Sequence, residues 1–250
     1  DLKHLRMALK LAGVIKMSKE LQEKLFDEIR TSLHAELDYL QEAANLVEFG
    51  AFHANDDKVI IPKVFSEYSS RRVLTLSYEG GDGLQTAKHY PHAIRNEIGE
   101  RLFHVLCEEM YHLHALHCDS HPGNFAFRPD GTLIIYDFGC VKRLSPTLVN
   151  DMKRLVRAAL ANDYATVEMV LRDIGIRTNV GEVPPEYYLE WIAILLAPLK
   201  DQRFDFGHSQ VHEQVLGQIK SLMKYWDSFQ PSAETMMVNR AIGGHYWNFV

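Results

Sequence analysis

The chain has 250 residues, of which 46% are hydrophobic and 24% charged, with a formal net charge of −6. This balance is ordinary for a soluble globular protein, and the length suits one large domain or two small ones. The longest uncharged apolar run, residues 191–199, is too short to cross a bilayer, so no transmembrane segment is expected. The negative charge argues against nucleic acid as a partner. Three cysteines are too few for a disulfide framework and predict a reducing compartment.

In chain order, the apolar spacing predicts helices separated by short extended segments. Residues 21–47 carry apolar side chains every three or four positions, which is typical of one helical face. The β-branched and aromatic residues of 72–78 predict a strand. A second long helix is predicted over 94–113, and helical periodicity resumes at Leu148. The first residue is Asp1, from which we expect an excised or processed piece of a longer protein.

The most informative stretch is residues 117–142, HCDSHPGNFAFRPDGTLIIYDFGCVK. Two short apolar runs, 125–127 and 133–136, flank Arg128-Pro129-Asp130-Gly131. Proline followed by Asp-Gly is a strong turn signal, so these runs predict a β-hairpin. Asn124 then lies just before the first strand and Asp137 just after the second.

The two residues at the open end of that hairpin predict a cation site. Opposite positions of antiparallel strands are about 5 Å apart, so Asn124 and Asp137 are expected to be neighbours. Asp119 lies five residues before Asn124, on a loop that Pro122 and Gly123 force to bend. Two carboxylates and an amide oxygen therefore converge, and hard oxygen donors of this kind suit Mg²⁺ together with phosphate oxygens.

The spacing Asp, Asn five residues later, then Asp-Phe-Gly after a hairpin resembles the catalytic and metal-binding segments of protein kinases. In this interpretation Asp119 is the catalytic aspartate, Asn124 and Asp137 are metal ligands, and the cofactors are ATP and Mg²⁺. However, only five residues separate Gly139 from Ser145-Pro146, which predicts a helix start. The longer segment ending in Ala-Pro-Glu that seats a peptide is missing, so a conventional protein kinase is disfavoured.

The loop His117–Asn124 resembles the H-x-D-x-H-P-G-N motif of the UbiB/ABC1/AarF (ADCK-type) atypical kinases. Residues 36–45, ELDYLQEAAN, are similar to that family's E-L-D-Y-x-x-E-A-x-N segment. The resemblance runs from about residue 1 to residue 161. It implies a protein-kinase-like α+β fold, mainly α-helical, with a partial N-lobe over 1–77 and a helical C-lobe with the catalytic loop over 78–250.

The resemblance also implies roles for the residues upstream of the catalytic loop. Glu42 is expected to pair with an ATP-positioning lysine, Glu36 and Asp38 to form the family's ExD pair, and Ser77 and Tyr78 to lie at the hinge beside adenine. Independently of the family, Asp38 and Glu42 are four residues apart on one helical face, where like charges repel. Either a cation or lysine offsets that repulsion, or the two residues belong to a solvated acidic face.

Three functions remain open from the sequence. The first is an ATP-binding ABC1/UbiB-type kinase or ATPase that supports ubiquinone or related isoprenoid-lipid metabolism, with a lipid or quinone precursor and peripheral membrane contact as candidate partners. The second is a small-molecule phosphotransferase of the aminoglycoside/choline kinase type. The third is a non-catalytic pseudokinase module that binds a lipid or protein, because the chain shows neither a K-x-G-Q motif nor a β3 lysine. A cytoplasmic or organellar compartment, mitochondrial or plastid, is expected.

Overall fold

A computed structural model of the chain describes residues 38–200 and 204–250, together with Glu23 and Asp27. Most of the helix predicted over 21–47, including Glu36, lies outside the described residues. Within them, helix α1 spans Tyr39–Phe52, and the Asp38 side chain caps it by accepting a hydrogen bond from the Leu40 backbone N–H at 3.2 Å. Helix α1 buries Leu46 and Phe49 in the core.

Two small sheets are built around the predicted hairpin. Strands β1 (Val59–Ile60), β3 (Phe125–Phe127) and β4 (Leu133–Ile135) form a sheet in the order β1-β4-β3. Strand β4 is parallel to β1 and antiparallel to β3, with Phe125 opposite Ile135. Strands β2 (Ala115–His117) and β5 (Val141–Arg143) form an antiparallel pair. The predicted hairpin over 125–135 is therefore confirmed.

The hairpin turn has the backbone that its sequence requires. The Gly131 N–H donates to the Arg128 carbonyl, and the Arg128 N–H donates to the Thr132 carbonyl, both at 3.0 Å. Gly131 has φ +82, a left-handed conformation that glycine adopts without steric cost. Lys58 Nζ, 2.8 Å from Asp130 Oδ2, ties the turn to the segment before β1.

The prediction of a regular strand over 72–78 is wrong. This segment makes isolated antiparallel bridges, Val64 with Leu76 and Ser70 with Val73. Side chains take up backbone groups that a ladder would use: the Thr75 hydroxyl donates to the Tyr68 carbonyl at 2.7 Å, and Ser69 Oγ accepts from the Thr75 N–H. Such local bonds compete with sheet pairing.

The remainder of the described chain is mainly helical. Helix α3 (His92–Glu108) continues into a π-helical turn over Glu109–Leu113, which confirms the long helix predicted over 94–113. The helices that follow α1 are α2 Leu84–Ala87, α3 His92–Glu108, α4 Pro146–Leu160, α5 Tyr164–Asp173, α6 Pro185–Leu195, α7 Ala197–Lys200, α8 Val211–Gly217, α9 Ile219–Lys224 and α10 Ala233–Phe249. Short 3-10 turns cover Ser66–Tyr68, Pro122–Asn124, Phe206–His208 and Trp226–Ser228. No helix within the described residues is long and apolar enough to cross a membrane.

The apolar core packs against both ends of the loop over 118–124, which joins β2 to β3. One cluster packs α1 and α3 against the hairpin and includes Phe49, Leu133 and Phe138. A second joins β2 to helices α4 and α10 and includes Leu116 and Val238. Because both sides of the loop rest on fully buried side chains, the fold gives the loop a rigid base.

The start of α4 provides a test of the fold. Ser145 caps the helix by accepting the Leu148 N–H at 3.1 Å, and Pro146 is its first residue. We expect Ser145→Ala to lower the free energy of unfolding by about 1 kcal/mol, because that N–H loses its acceptor. The matched control is Thr147→Ala two residues on, since Thr147 is exposed and makes no hydrogen bond with the described residues. Equal stabilities of the two variants in urea unfolding would contradict the capping role.

Candidate functional site

The loop between β2 and β3 brings Asp119 and Asn124 into contact. The Asn124 side-chain amide donates to Asp119 Oδ2 at 2.9 Å and to the Asp119 carbonyl at 3.1 Å. The loop can close on itself because Pro122–Asn124 form a 3-10 turn, which His121 caps by accepting the Gly123 N–H at 3.0 Å. The sequence Pro-Gly-Asn thus folds the loop so that the asparagine reaches back to the aspartate.

The hairpin register places Tyr136 opposite Asn124, and Asp137 is the next residue along the chain. The Tyr136 N–H donates to the Asn124 carbonyl at 2.9 Å, which extends the β3–β4 pairing by one step. Asp137 follows directly, and its Oδ1 accepts the Gly139 N–H at 2.7 Å in a tight local turn. Asp119 and Asn124 are thus in direct contact, and Asp137 follows the residue that pairs with Asn124 at the open end of the hairpin. The metal-binding and catalytic roles of the three residues stay predictions.

Phe138 anchors the turn after Asp137. Its ring is fully buried, with its centroid 4.6 Å from that of Phe49 in α1. The Asn45 side chain, also in α1, donates to the Phe138 carbonyl at 2.8 Å. Helix α1 thus fixes the backbone that carries Asp137 through one apolar contact and one buried hydrogen bond.

The donor chemistry of this group fits a small divalent cation. Because Asn124 donates its amide N–H to Asp119, its Oδ1 is directed elsewhere and has no hydrogen bond within the described part of the chain. Asp137 Oδ2 likewise has no donor there. A carboxylate oxygen and an amide oxygen without protein partners are the ligands that Mg²⁺ takes, with phosphate and water completing its shell.

Glu42 adds a third negative group to this region. It is nearly buried in α1, and burial, together with the neighbouring charge of Asp137, raises the pKa of its carboxyl to about 7. The Phe138 backbone N–H opposes the shift in part. Within the described residues, no lysine or arginine is paired with Glu42. The crowding of two carboxylates without a described cation is a second feature that suits a metal or ligand-borne positive charge.

The other predicted site residues make contacts outside this group. Besides capping α1, Asp38 lies 3.5 Å from Arg71 Nη2. Ser77 accepts the Lys63 backbone N–H at 2.9 Å, and the Tyr78 side chain is 93% exposed. The ExD and hinge roles of Glu36, Asp38, Ser77 and Tyr78 stay predictions.

Sequence reasoning gave no role to Arg240, a residue of α10 that touches the catalytic loop. Its Nη2 lies 3.4 Å from Asp119 Oδ1, across 121 positions of the chain. No local pattern signals such a contact.

His117 and Glu109 support the loop from below. Glu109 is buried and accepts the His117 backbone N–H at 3.1 Å. The His117 ring packs against Phe125 and Phe138, and burial lowers its pKa to about 4, so it is neutral at physiological pH. Within the described residues, no group of three or more His, Cys, Asp and Glu side chains is placed to hold a metal ion.

Comparisons with known proteins identify the family of the chain. The model of the ABC1 atypical kinase-like domain matches residues 1–171. The chain belongs to this family. It is 25% identical over 94% of its length to atypical kinase COQ8B of Danio rerio, named mitochondrial, and 28% identical over 94% to COQ8 of Schizosaccharomyces pombe, also named mitochondrial. An aarF domain-containing protein kinase of Arabidopsis thaliana, named chloroplastic, is 32% identical over 64% of the chain.

The fold is likewise that of a kinase-like α+β protein. The structure of Rv3197 from Mycobacterium tuberculosis in complex with erythromycin superposes on the whole chain with a TM-score of 0.75 and 21% identity. The chain covers 62% of that protein. It spans 39%, 40% and 24% of the COQ8B, COQ8 and Arabidopsis relatives, less than half the length of each.

The environment of Glu42 predicts a pH dependence of stability. An acid whose folded pKa is about 7, against an ordinary 4.5, holds its proton more tightly when folded, so stability falls as pH rises between these values. We expect Glu42→Gln to raise the free energy of unfolding of the metal-free protein, relative to the wild type, at pH 8. This gain should exceed the effect of the same substitution at pH 4 by on the order of 1 kcal/mol. Thermal unfolding across this range measures the difference.

Glu48 on the same helix is the matched control. Arg143 donates two hydrogen bonds to its carboxylate and lowers its pKa, so Glu48 stabilises the fold when it is ionised. Glu48→Gln should therefore destabilise the protein at neutral pH, and the loss should disappear at low pH. A Glu42→Gln variant that behaves like Glu48→Gln would show that the Glu42 charge is stabilising instead.

Proposed function

We propose that this chain is the catalytic part of an atypical kinase or ATPase that binds ATP with Mg²⁺ and acts in ubiquinone or related isoprenoid-lipid metabolism. The observation that carries the proposal is the sequence Asp119, Asn124 and Asp137 around the hairpin's open end, where Asn124 Oδ1 and Asp137 Oδ2 have no hydrogen-bond donor among the described residues. Family membership supports the nucleotide, and the names of the COQ8 relatives support an organellar, quinone-linked setting.

Each of these three residues has a distinct part in the proposal. Asn124 and Asp137 would hold Mg²⁺, which when bound neutralises phosphate charge and orients the γ-phosphate. Asp119 would accept the proton of the attacking hydroxyl or water. Its hydrogen bond from Asn124 keeps its carboxylate oriented, and Arg240 Nη2 lies 3.4 Å from its other oxygen. Glu42 would face the nucleotide-binding side and pair with a cation.

The segment after Gly139 bears on the substrate. Residues 141–143 form β5, which pairs with β2 directly beneath the catalytic loop, and α4 begins three residues later at Pro146. An extended peptide needs a platform beside the catalytic aspartate to hold its hydroxyl in line. Since sheet and helix take up this stretch of chain, a compact or lipid-like substrate is the better candidate.

The metal role of Asp137 is testable by calorimetry on the complete gene product. Asp137→Asn should abolish the Mg²⁺ dependence of ATP binding, because a charged ligand becomes a neutral one. Asp119→Ala should leave binding intact and reduce turnover by at least about 100-fold, the contribution of a general base. Asp57→Asn, at an exposed carboxylate without hydrogen bonds to the described residues, makes the same change in net charge and should alter neither. Equal affinity of the wild type with and without Mg²⁺ would contradict the proposal.

The expected substrate class follows from the short connection between β5 and α4. We expect no Asp119-dependent labelling of a peptide array by the complete gene product. ATP hydrolysis in the same preparation should rise when quinone-precursor lipids are added. Robust peptide phosphorylation in trans that is lost in Asp119→Ala would overturn this expectation.

A further inference from the structure

One face of the C-terminal helix α10 lies along the catalytic loop. Arg240, Gly244 and Asn248 are spaced by four residues and so form a single stripe on the helix. Arg240 Nη2 is 3.4 Å from Asp119 Oδ1, and the Asn248 side-chain amide donates to the Ser120 carbonyl at 2.9 Å. The two contacts hold consecutive residues of the loop, one through its side chain and one through its backbone.

The middle of the stripe is a close approach that only glycine allows. A Cβ atom on Gly244 would overlap Ser120 Oγ and lie 2.8 Å from Ser120 Cβ. Rotation of the serine hydroxyl would relieve the first overlap but not the second, so the loop or the helix would have to move. For Gly243, the preceding residue, no atom of the described part of the chain lies within 4 Å of such a Cβ.

Helix α10 is itself firmly seated, so an overlap at Gly244 would act on the loop. Val238 and Ala241 are fully buried in the cluster that includes Leu116 of β2. His245 is buried, and its ring centroid is 5.6 Å from that of Phe125, the first residue of β3. A close-packed core resists displacement, whereas His121, Pro122 and Gly123 of the loop are exposed and can move with less loss of packing.

We propose that α10 is a brace that sets the position of the catalytic aspartate, with Gly244 and Asn248 as positioning residues. The inference rests on the proposed function, since it assigns Asp119 to the reaction. Each residue acts on Ser120, whose backbone is joined directly to Asp119. The brace holds the Asp119 carboxylate where it can accept a proton from a hydroxyl in line with the γ-phosphate.

Adjacent glycines give a matched test of this brace. Gly244→Ala and Gly243→Ala both replace a glycine inside the same helix with a better helix former, but only the first meets Ser120. We expect Gly244→Ala to lower kcat for ATP hydrolysis by about 100-fold, the effect of moving a reacting group by about 1 Å, with a much smaller change in the KM for Mg-ATP. Gly243→Ala should leave both constants at the wild-type level.

A second-site change separates positioning from general damage. Ser120→Gly removes the atoms that a Gly244 Cβ would meet, so the loss caused by Gly244→Ala should be several-fold smaller in the Ser120→Gly background. If Gly244→Ala does not fold, Asn248→Ala removes the bond to Ser120 without crowding and should reduce kcat in the same selective way. Equal losses from both glycine variants, or an undiminished loss in the Ser120→Gly background, would overturn the brace.

A spectroscopic readout keeps this inference distinct from the proposed function. In amide NMR spectra, Gly244→Ala should shift the signals of Asp119, Ser120 and Asn124, while Gly243→Ala should leave them in place. A wild-type protein without Mg²⁺-dependent ATP hydrolysis would remove the proposed function, and the NMR comparison would still decide whether α10 positions the loop. Unshifted loop signals in Gly244→Ala would refute the brace even if the wild type hydrolyses ATP.

Discussion

The hydrogen bond from the Tyr136 N–H to the Asn124 carbonyl fixes the arrangement of the whole site. It continues the β3–β4 pairing beyond the last regular pair, so the residue before one strand and the residue after the other become neighbours. Asn124 in turn orients Asp119, and Asp137 begins the turn that buries Phe138. A slip of one residue in this register would send alternate side chains to the opposite face of the sheet and separate the three oxygen-bearing groups.

Within the described residues, no lysine or arginine is paired with the Glu42 and Asp137 carboxylates, and the fold holds these two groups close together. Phe138 and Asn45 hold the Asp137 backbone against α1, which places the nearly buried Glu42 carboxyl close to the Asp137 charge. Burial of a charge without a partner is unfavourable, and a second like charge adds to the cost. A rigid scaffold that keeps such groups together is typical of binding and catalytic sites. The proximity of these carboxylates is the physical reason to connect family membership with a nucleotide-bound cation.

Local chemistry explains which features the sequence predicts. The hairpin and the start of α4 follow from residues adjacent in the chain: Asp130-Gly131 forms the turn, and Ser145 and Pro146 begin the helix. The segment 72–78 has strand-like composition, but Ser69 and Thr75 divert its backbone groups, which composition cannot reveal. The contacts of Arg240 and Gly244 with the catalytic loop join residues more than 100 positions apart. They depend on how α10 packs, a tertiary property without a local pattern.

The central claim is that Asp119, Asn124 and Asp137 form one nucleotide-linked cation site, and paramagnetic broadening by Mn²⁺ tests it most directly. With a non-hydrolysable ATP analogue bound to the complete gene product, substoichiometric Mn²⁺ should broaden the Asn124 side-chain and Gly139 amide signals first. The signal of Gly131, at the far turn of the hairpin, should stay sharp, and Asp137→Asn should abolish the selective broadening. Strongest broadening at exposed carboxylates such as Asp205, with Gly139 unaffected, would contradict the account.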